Sequence, residues 1–261
     1  MNISLKNRHA IVCGSTQGIG LAVAKELASL GATCILLARN EQKLQEVIRE
    51  LPAPDRQPHT YEVADFSDPE TVGLAVTRII ESYAITILIN NTGGPAAGPI
   101  TDAAANDLEQ AFRQHVICNQ LLVKAVLPAM KAATYGRIIN IISTSVKTPL
   151  PNLGVSNTIR ASVAAWAKTL ANEIGPFGIT VNNVLPGSTY TSRLQALMQQ
   201  NTQASGQSVD EVEKHIKNAI PLKRIGQPEE IANVVAFLAS PAASYVSGVS
   251  IPVDGGKTPS I

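Results

Sequence analysis

Cysteine is scarce in this chain: Cys13, Cys34 and Cys118 are the only three in 261 residues. They lie far apart and each sits among apolar neighbours. The scarcity argues against a disulfide framework or a thiolate metal site and for buried small side chains in a reducing compartment. An excess of one charge is also lacking. Lys and Arg total 21 against 20 Asp and Glu, a net charge of +1, and like charges nowhere run together. Electrostatics therefore gives no support to a nucleic-acid or membrane-surface partner. No apolar run is long enough to span a bilayer, and the opening residues "MNISLKNRHAIV" lack the apolar centre of a secretory signal; a cytoplasmic protein is expected. Internal repeats, low-complexity tracts and linkers are missing too. The proline-rich "LPAPDRQPH" at 51–59 is short and joins a helix to a strand. What remains is an ordinary globular composition, 45% hydrophobic and 16% charged with 18 Gly and 16 Pro, which with no linker favours one domain.

Short β-branched runs alternate with longer helical patterns. Strands are expected at 9–13, 34–38, 59–63, 85–90, 137–142, 180–185 and 249–253, and helices near 18–30, 41–51, 69–83, 102–133, 156–175 and 228–239. Such alternation implies crossover connections and a parallel sheet, and strands apolar on both faces imply helices on both sides of it. The polar stretch 188–219 interrupts the alternation and reads as a lid-like insertion. Its Leu194, Leu197, Met198, Val209, Val212 and Ile216 suit either an apolar pocket wall or, preferably, the packing face of a helix.

"AIVCGSTQGIGLAVAKEL" supplies strand, turn and helix in order, with Gly14, Gly18 and Gly20 in a G-x-x-x-G-x-G spacing and Ile19 between the last two. Glycine there permits a sharp turn and lets a pyrophosphate approach a helix N-terminus. A turn used only for packing is the competing reading. An acidic residue at the end of the second strand would favour NAD; the position holds Ala38, followed by Arg39 and Asn40. A guanidinium forms paired bonds to phosphate, so Arg39 suits the 2′-phosphate of NADP(H) over NAD(H), with Ser15 as an added hydroxyl. The competing reading of Arg39 is a solvated surface charge.

These motifs and several others resemble those of the short-chain dehydrogenase/reductase family along nearly the whole chain, with 3-oxoacyl-[acyl-carrier-protein] reductases the nearest subgroup. "CGSTQGIG" is similar to the family's cofactor loop. Asp65 in "VADFSD" matches its adenine-contacting aspartate. "NNTGG" at 90–94, with Asn91 and Gly93, matches its turn after the fourth strand, and "LPGSTYTSR" at 185–193 matches its Pro-Gly turn, with Pro186, Gly187 and Thr191. The segment 224–256 resembles the family's C-terminal region. The resemblance implies a Rossmann-type, doubly wound sheet of seven parallel strands. It also implies a homotetramer joined through the helices near 102–133 and 156–175, where Ala161, Ala164, Ala165 and Ala171 suit close approach or ordinary core packing.

The same resemblance implies a catalytic tyrosine, a lysine four residues later, a serine thirteen residues before the tyrosine and an asparagine on an earlier helix. Counting back from Pro186 and Gly187 puts the lysine position on Arg160, the tyrosine position on Ser156 and the serine on Ser143. The asparagine position falls on His115, with Asn119 one turn further along. Only the serine is retained. A serine hydroxyl has a pKa far above that of a phenol, which is about 10, and arginine stays charged. Arg160 thus keeps lysine's ribose-binding task and loses its proton relay. His115 is a candidate acid–base group or a structural, hydrogen-bonded histidine. Lys147 and Tyr190 are lesser proton sources, each more simply read as a solvated loop residue.

Two functions follow. The first is an NADP-dependent oxidoreductase acting on a small-molecule carbonyl or alcohol with altered proton delivery, since hydride transfer needs geometry more than one particular acid. The second is a cofactor-binding sensor or assembly protein without turnover.

Overall fold

Near-continuous apolar runs form the middle of a sheet covered on both faces. The computed structural model describes residues 1–260, apart from the side chains of residues 201 and 203–205. Its strands are β1 (His9–Cys13), β2 (Thr33–Ala38), β3 (Thr60–Val63), β4 (Ile85–Asn90), β5 (Gly136–Ile141), β6 (Ile179–Pro186) and β7 (Ser250–Val253). Every residue of β2, β4 and β5 is buried. All pairings are parallel, in the order β3-β2-β1-β4-β5-β6-β7. The chain winds outward from β1 in one direction and from β4 in the other. The crevice beyond the carboxyl ends of β1 and β4 is therefore the topological switch point, where open α/β sheets bind ligands.

Helices α1 (Gly18–Ser29), α2 (Glu41–Glu50), α3 (Pro69–Ser82), α4 (Ala105–Phe112), α5 (Cys118–Ala132), α6 (Gly154–Ile174), α7 (Ser192–Ser205), α8 (Val209–Asn218) and α9 (Pro228–Ala239) complete the fold. One core lies under α1, α2 and α9 with Ala10 and Val12 of β1; the other lies under α3, α5 and α6 with Ile11 and Cys13. Successive β1 residues thus feed opposite cores, as a pleated strand requires. Fully buried Leu27, Ile35 and Leu122 each contribute about 1.5–3 kcal/mol. All three cysteines are free and buried. Among the described residues, no helix is long and apolar enough to cross a membrane.

The helix expected over 102–133 is three pieces. Asp107 accepts the Ala104 N–H at 3.0 Å and starts α4 at Ala105, after a short 3₁₀ turn at Ile100–Asp102. A π-helical turn, Arg113–Ile117, then separates α4 from α5. Such turns insert one extra residue and frequently mark functional sites; this one carries His115.

A row of amides stitches the carboxyl half of the sheet. Asn90, Asn140, Asn183 and Ser250 stand in register on β4 to β7. Asn90 donates to Asn140 at 2.8 Å, Asn140 to Asn183 at 2.9 Å, and Asn183 to the Ser250 hydroxyl at 3.0 Å. Buried amides need such partners, and the row fixes the strand register beneath the crevice. The insertion between β6 and β7 consists of α7 and α8. Thr191 caps α7 and Ser208 caps α8 in a reciprocal box with Glu211.

Candidate active site

The glycine turn is forced by its surroundings. Gly14 and Gly18 have φ of 60° and 54°, the left-handed region that side chains disfavour. A Cβ on Gly14 would lie 2.6 Å from the Asn91 carbonyl oxygen, and one on Gly20 would lie 2.1 Å from the Gly14 carbonyl oxygen. Asn91 explains the crowding: its side-chain amide donates to Cys13 O at 3.2 Å and Gly14 O at 3.3 Å, tying the β4 turn to the glycine turn. The start of α1 has no side-chain cap. Its first N–H groups are left for a ligand, the arrangement that binds phosphates.

This turn forms one wall of a cleft of about 610 Å³ at the switch point. Gly14, Gly18, Ile19, Gly20, Arg39, Asp65, Asn91, Gly93, Pro186, Gly187 and Thr191 all line it. Arg39 is exposed and has no ion-pair partner among the described residues. Asp65 accepts the Ser67 N–H at 2.9 Å, and the hydrogen bonds from Ser67 hold its carboxyl below the usual range. Two expected contributors face elsewhere. Ser15 is fully buried, and its hydroxyl has no partner; Thr16 and Gln17 are the turn residues that line the cleft. Asn40 caps α2 by accepting the Lys43 N–H at 2.9 Å, and it does not line the cleft.

Ser143, Ser156 and Arg160 line the same cleft, away from the glycine turn. Ser143 stands where β5 gives way to a 3₁₀ turn, and its oxygen accepts the Ser145 N–H at 3.1 Å. Ser156 and Arg160 are one turn apart on α6. Arg160 is 8% exposed and donates to Ile141 O at 2.9 Å and Thr92 O at 3.3 Å. Burial, and then the neighbouring Arg193 charge, lower its pKa to about 10, so it remains a cation at neutral pH.

His115 lies behind this group. It is 1% exposed and absent from the cleft wall. Its Nδ1 pairs with the Thr92 hydroxyl, while its Nε2 is buried without a partner. Burial first, and the Arg160 charge second, push the imidazole down to about 2; it is neutral at ordinary pH. His115, Thr92 and Arg160 therefore form a chain in which the histidine orients the turn that holds the guanidinium. Asn119 is buried and also off the cleft wall.

No tyrosine lines the cleft. Tyr190 donates to Glu213 and Tyr135 to Ala239 O at 2.7 Å; Tyr245 is fully exposed. Lys147 is exposed and outside the cleft. Sequence reasoning missed Arg193 and Lys257, which both line it. Arg193 sits two positions after Thr191, in the first turn of α7, and that adjacency was the available signal. The insertion's apolar residues divide: Leu194 and Leu197 line the cleft, Met198 and Val212 are buried, and Val209 is 46% exposed.

Known proteins agree with this architecture. A family model described as Enoyl-(Acyl carrier protein) reductase matches residues 14–258. The NADPH-dependent reductase BacG of Bacillus subtilis is 32% identical over 260 residues, 98% of this chain and 100% of that one. The chain belongs to the short-chain dehydrogenase/reductase family. Within that family, the 3-oxoacyl-[acyl-carrier-protein] reductase FabG of Aquifex aeolicus is 33% identical over 260 residues, 98% of this chain and 99% of that one. L-sorbose reductase of Gluconobacter frateurii, solved with NADPH and L-sorbose, superposes with a TM-score of 0.92 at 30% identity, covering 100% of both chains. Family membership makes the chain an oxidoreductase, and its fold is the seven-stranded, doubly wound sheet that the resemblance implied.

Proposed function

We propose that this chain is an NADP(H)-dependent oxidoreductase that reduces a carbonyl group or oxidises the corresponding alcohol, with Ser143 as the family's serine and with Ser156 and Arg160 in place of its tyrosine and lysine. One observation carries this reading: two hydroxyls and a buried guanidinium share a cleft with the glycine turn, and no phenol reaches it. The cofactor fits the residues present. The uncapped start of α1, in the cleft beside the tight turn at Gly14 and Gly20, leaves N–H donors for a diphosphate, and Arg39, without an ion-pair partner among the described residues, suits a 2′-phosphate. NADPH-dependent relatives support the same choice. A bound nicotinamide supplies the hydride.

The protein's own task is then to hold the substrate oxygen. Negative charge growing on that oxygen meets two hydroxyl donors and a fixed cation, the kind of preorganised electrostatic site that lowers barriers most. Neither serine surrenders its proton near neutral pH, so the proton comes from water entering the open cleft. Losing a positioned general acid costs about 10²–10⁴-fold, which slows such an enzyme without stopping it. His115 acts through Arg160 as a positioning residue. The segment α7–α8 serves as the lid, with Leu194 and Leu197 on its inner face. Exposed Phe112 and Ile117, at 41% and 38%, support homotetramer contacts through α4, α5 and α6, which light scattering tests.

The purified protein with NADPH should oxidise the cofactor in the presence of at least one class among 3-oxoacyl thioesters, diketones and quinones, followed by nicotinamide absorbance. Tight NADPH binding by calorimetry with no oxidation by any of them would overturn the redox reading and leave a cofactor-binding sensor.

A further inference from the structure

Charge is unevenly placed in the cleft. Arg39, Arg160, Arg193 and Lys257 line it against a single carboxylate, Asp65. Arg39 stands near Asp65, whose ionised form it favours. Arg160 and Arg193 meet at the opposite end: a Cβ on Gly94 would lie 3.8 Å from the Nη2 of each. Neither belongs to any of the five ion pairs among the described residues. Among the described residues their hydrogen bonds go to backbone carbonyls, from Arg160 to Ile141 and Thr92 and from Arg193 to Pro95 at 2.6 Å. Two guanidinium groups so close repel each other, and the burial of Arg160 weakens the screening between them. Such a pair is costly until an anion completes it. Each guanidinium has five N–H donors in a planar fork, so most of the donors remain available, in a geometry that matches a carboxylate.

The anionic groups of a dinucleotide have partners elsewhere, at the uncapped start of α1 and at Arg39. Leu150, Leu153, Leu194 and Leu197 also line the cleft and offer an apolar surface. Resting on the oxidoreductase reading for which end of the cleft is reactive, we propose that the substrate carries its own carboxylate, clamped between Arg160 and Arg193, with a short apolar body against these leucines. Ser156 and Arg160 lie one helical turn apart and both face the cleft. The carbonyl and the carboxylate are therefore separated by only a few atoms, which makes the substrate class a small oxo acid or the matching hydroxy acid.

Binding tests this without turnover. Protein loaded with NADP⁺ is titrated calorimetrically with 2-oxopentanoate, 4-oxopentanoate and their methyl esters. At least one acid should bind about tenfold or more tightly than its ester, the scale of a lost charged hydrogen bond. Arg193→Gln should abolish that preference, Arg193→Lys should restore part of it, and NADP⁺ affinity should stay within about threefold in both. Esters that match their acids, or failure of both acids to bind, would overturn the clamp. So would an Arg193→Gln variant that loses NADP⁺ affinity about tenfold while its acid preference persists, since the anion would then be the cofactor's diphosphate. Acid binding in a protein that never oxidises NADPH would sink the redox reading and leave the clamp standing. Brisk reduction of neutral ketones with no preference for acids would do the reverse.

Discussion

The two ends of the cleft are built from different materials. At the glycine turn the ligand surface is backbone: Gly14 and Gly20 leave no room for a side chain, Gly18 holds a left-handed φ, and Asn91 closes the space behind the turn. At the far end the surface is side chains, Ser143, Ser156, Arg160 and Arg193. A backbone site constrains residue type through sterics. A side-chain site constrains it only through chemistry, so it can change while the fold is kept. On the proposed reading, the tyrosine and lysine positions differ at the second end while the glycine turn is kept at the first, a contrast that this difference in constraint permits.

The backbone site should fail most completely at Gly20. In Gly20→Ala the new methyl must displace Gly14 backbone, 2.1 Å away, and overpacking of this kind costs about 1–3 kcal/mol. NADPH binding should fall below detection by calorimetry, with a lowered Tm. Binding that survives within about tenfold would show that the turn yields more than its contacts imply.

Arg160→Met should come next. Removing one preorganised donor of a developing oxyanion typically lowers kcat about 10²–10³-fold, and the loss should appear in kcat while NADPH affinity changes far less. Equal losses in both would place Arg160 with the cofactor alone. Arg39→Ala is milder and acts at the other end. A charge-assisted bond to the 2′-phosphate is worth about 1.5–3 kcal/mol, so NADPH affinity should drop about 10–100-fold. NADH affinity should barely move. An equal loss for both cofactors would make Arg39 a general surface charge.

Much of this was readable because periodicity survives folding. The apolar runs ending at Cys13, Ala38 and Asn90 became strands with their ends at the cleft, and α9 occupies the expected residues Pro228–Ala239. Facing was harder to read than placement. Ser15 follows Gly14 directly, yet its hydroxyl points into the core, because the turn's left-handed start rotates the next side chain inward. Arg193 opens α7, where one helical step decides between solvent and cleft. Leu194 and Leu197 carried the spacing of a packing face and nonetheless line the cleft, because α7 lies along its edge. The amide row from Asn90 to Ser250 could not be read from local pattern at all, since its members are brought together only by the register of four strands.

The smallest predicted effect concerns the residue that supports the side-chain end from behind. In the unfolded chain His115 titrates near 6.5; in the fold it is pushed down to about 2. Above pH 6.5 it is neutral in both states and costs nothing. Below that value the unfolded chain takes up a proton that the folded chain refuses, so stability is lost as pH falls, by about 1.4 kcal/mol per pH unit. His115→Asn removes this term and leaves those of the other histidines in place. Chemical denaturation of both proteins between pH 6.5 and 5 should give a flatter decline for the variant, whatever its absolute stability. The rate profile of the unmodified protein should also lack an inflection from this imidazole between pH 5 and 8, because a group already neutral has no proton to lose there. Parallel declines would mean that the ring is hydrated and protonated in the fold. His115 would then share the cleft with Ser156 and Arg160 and return as a proton donor.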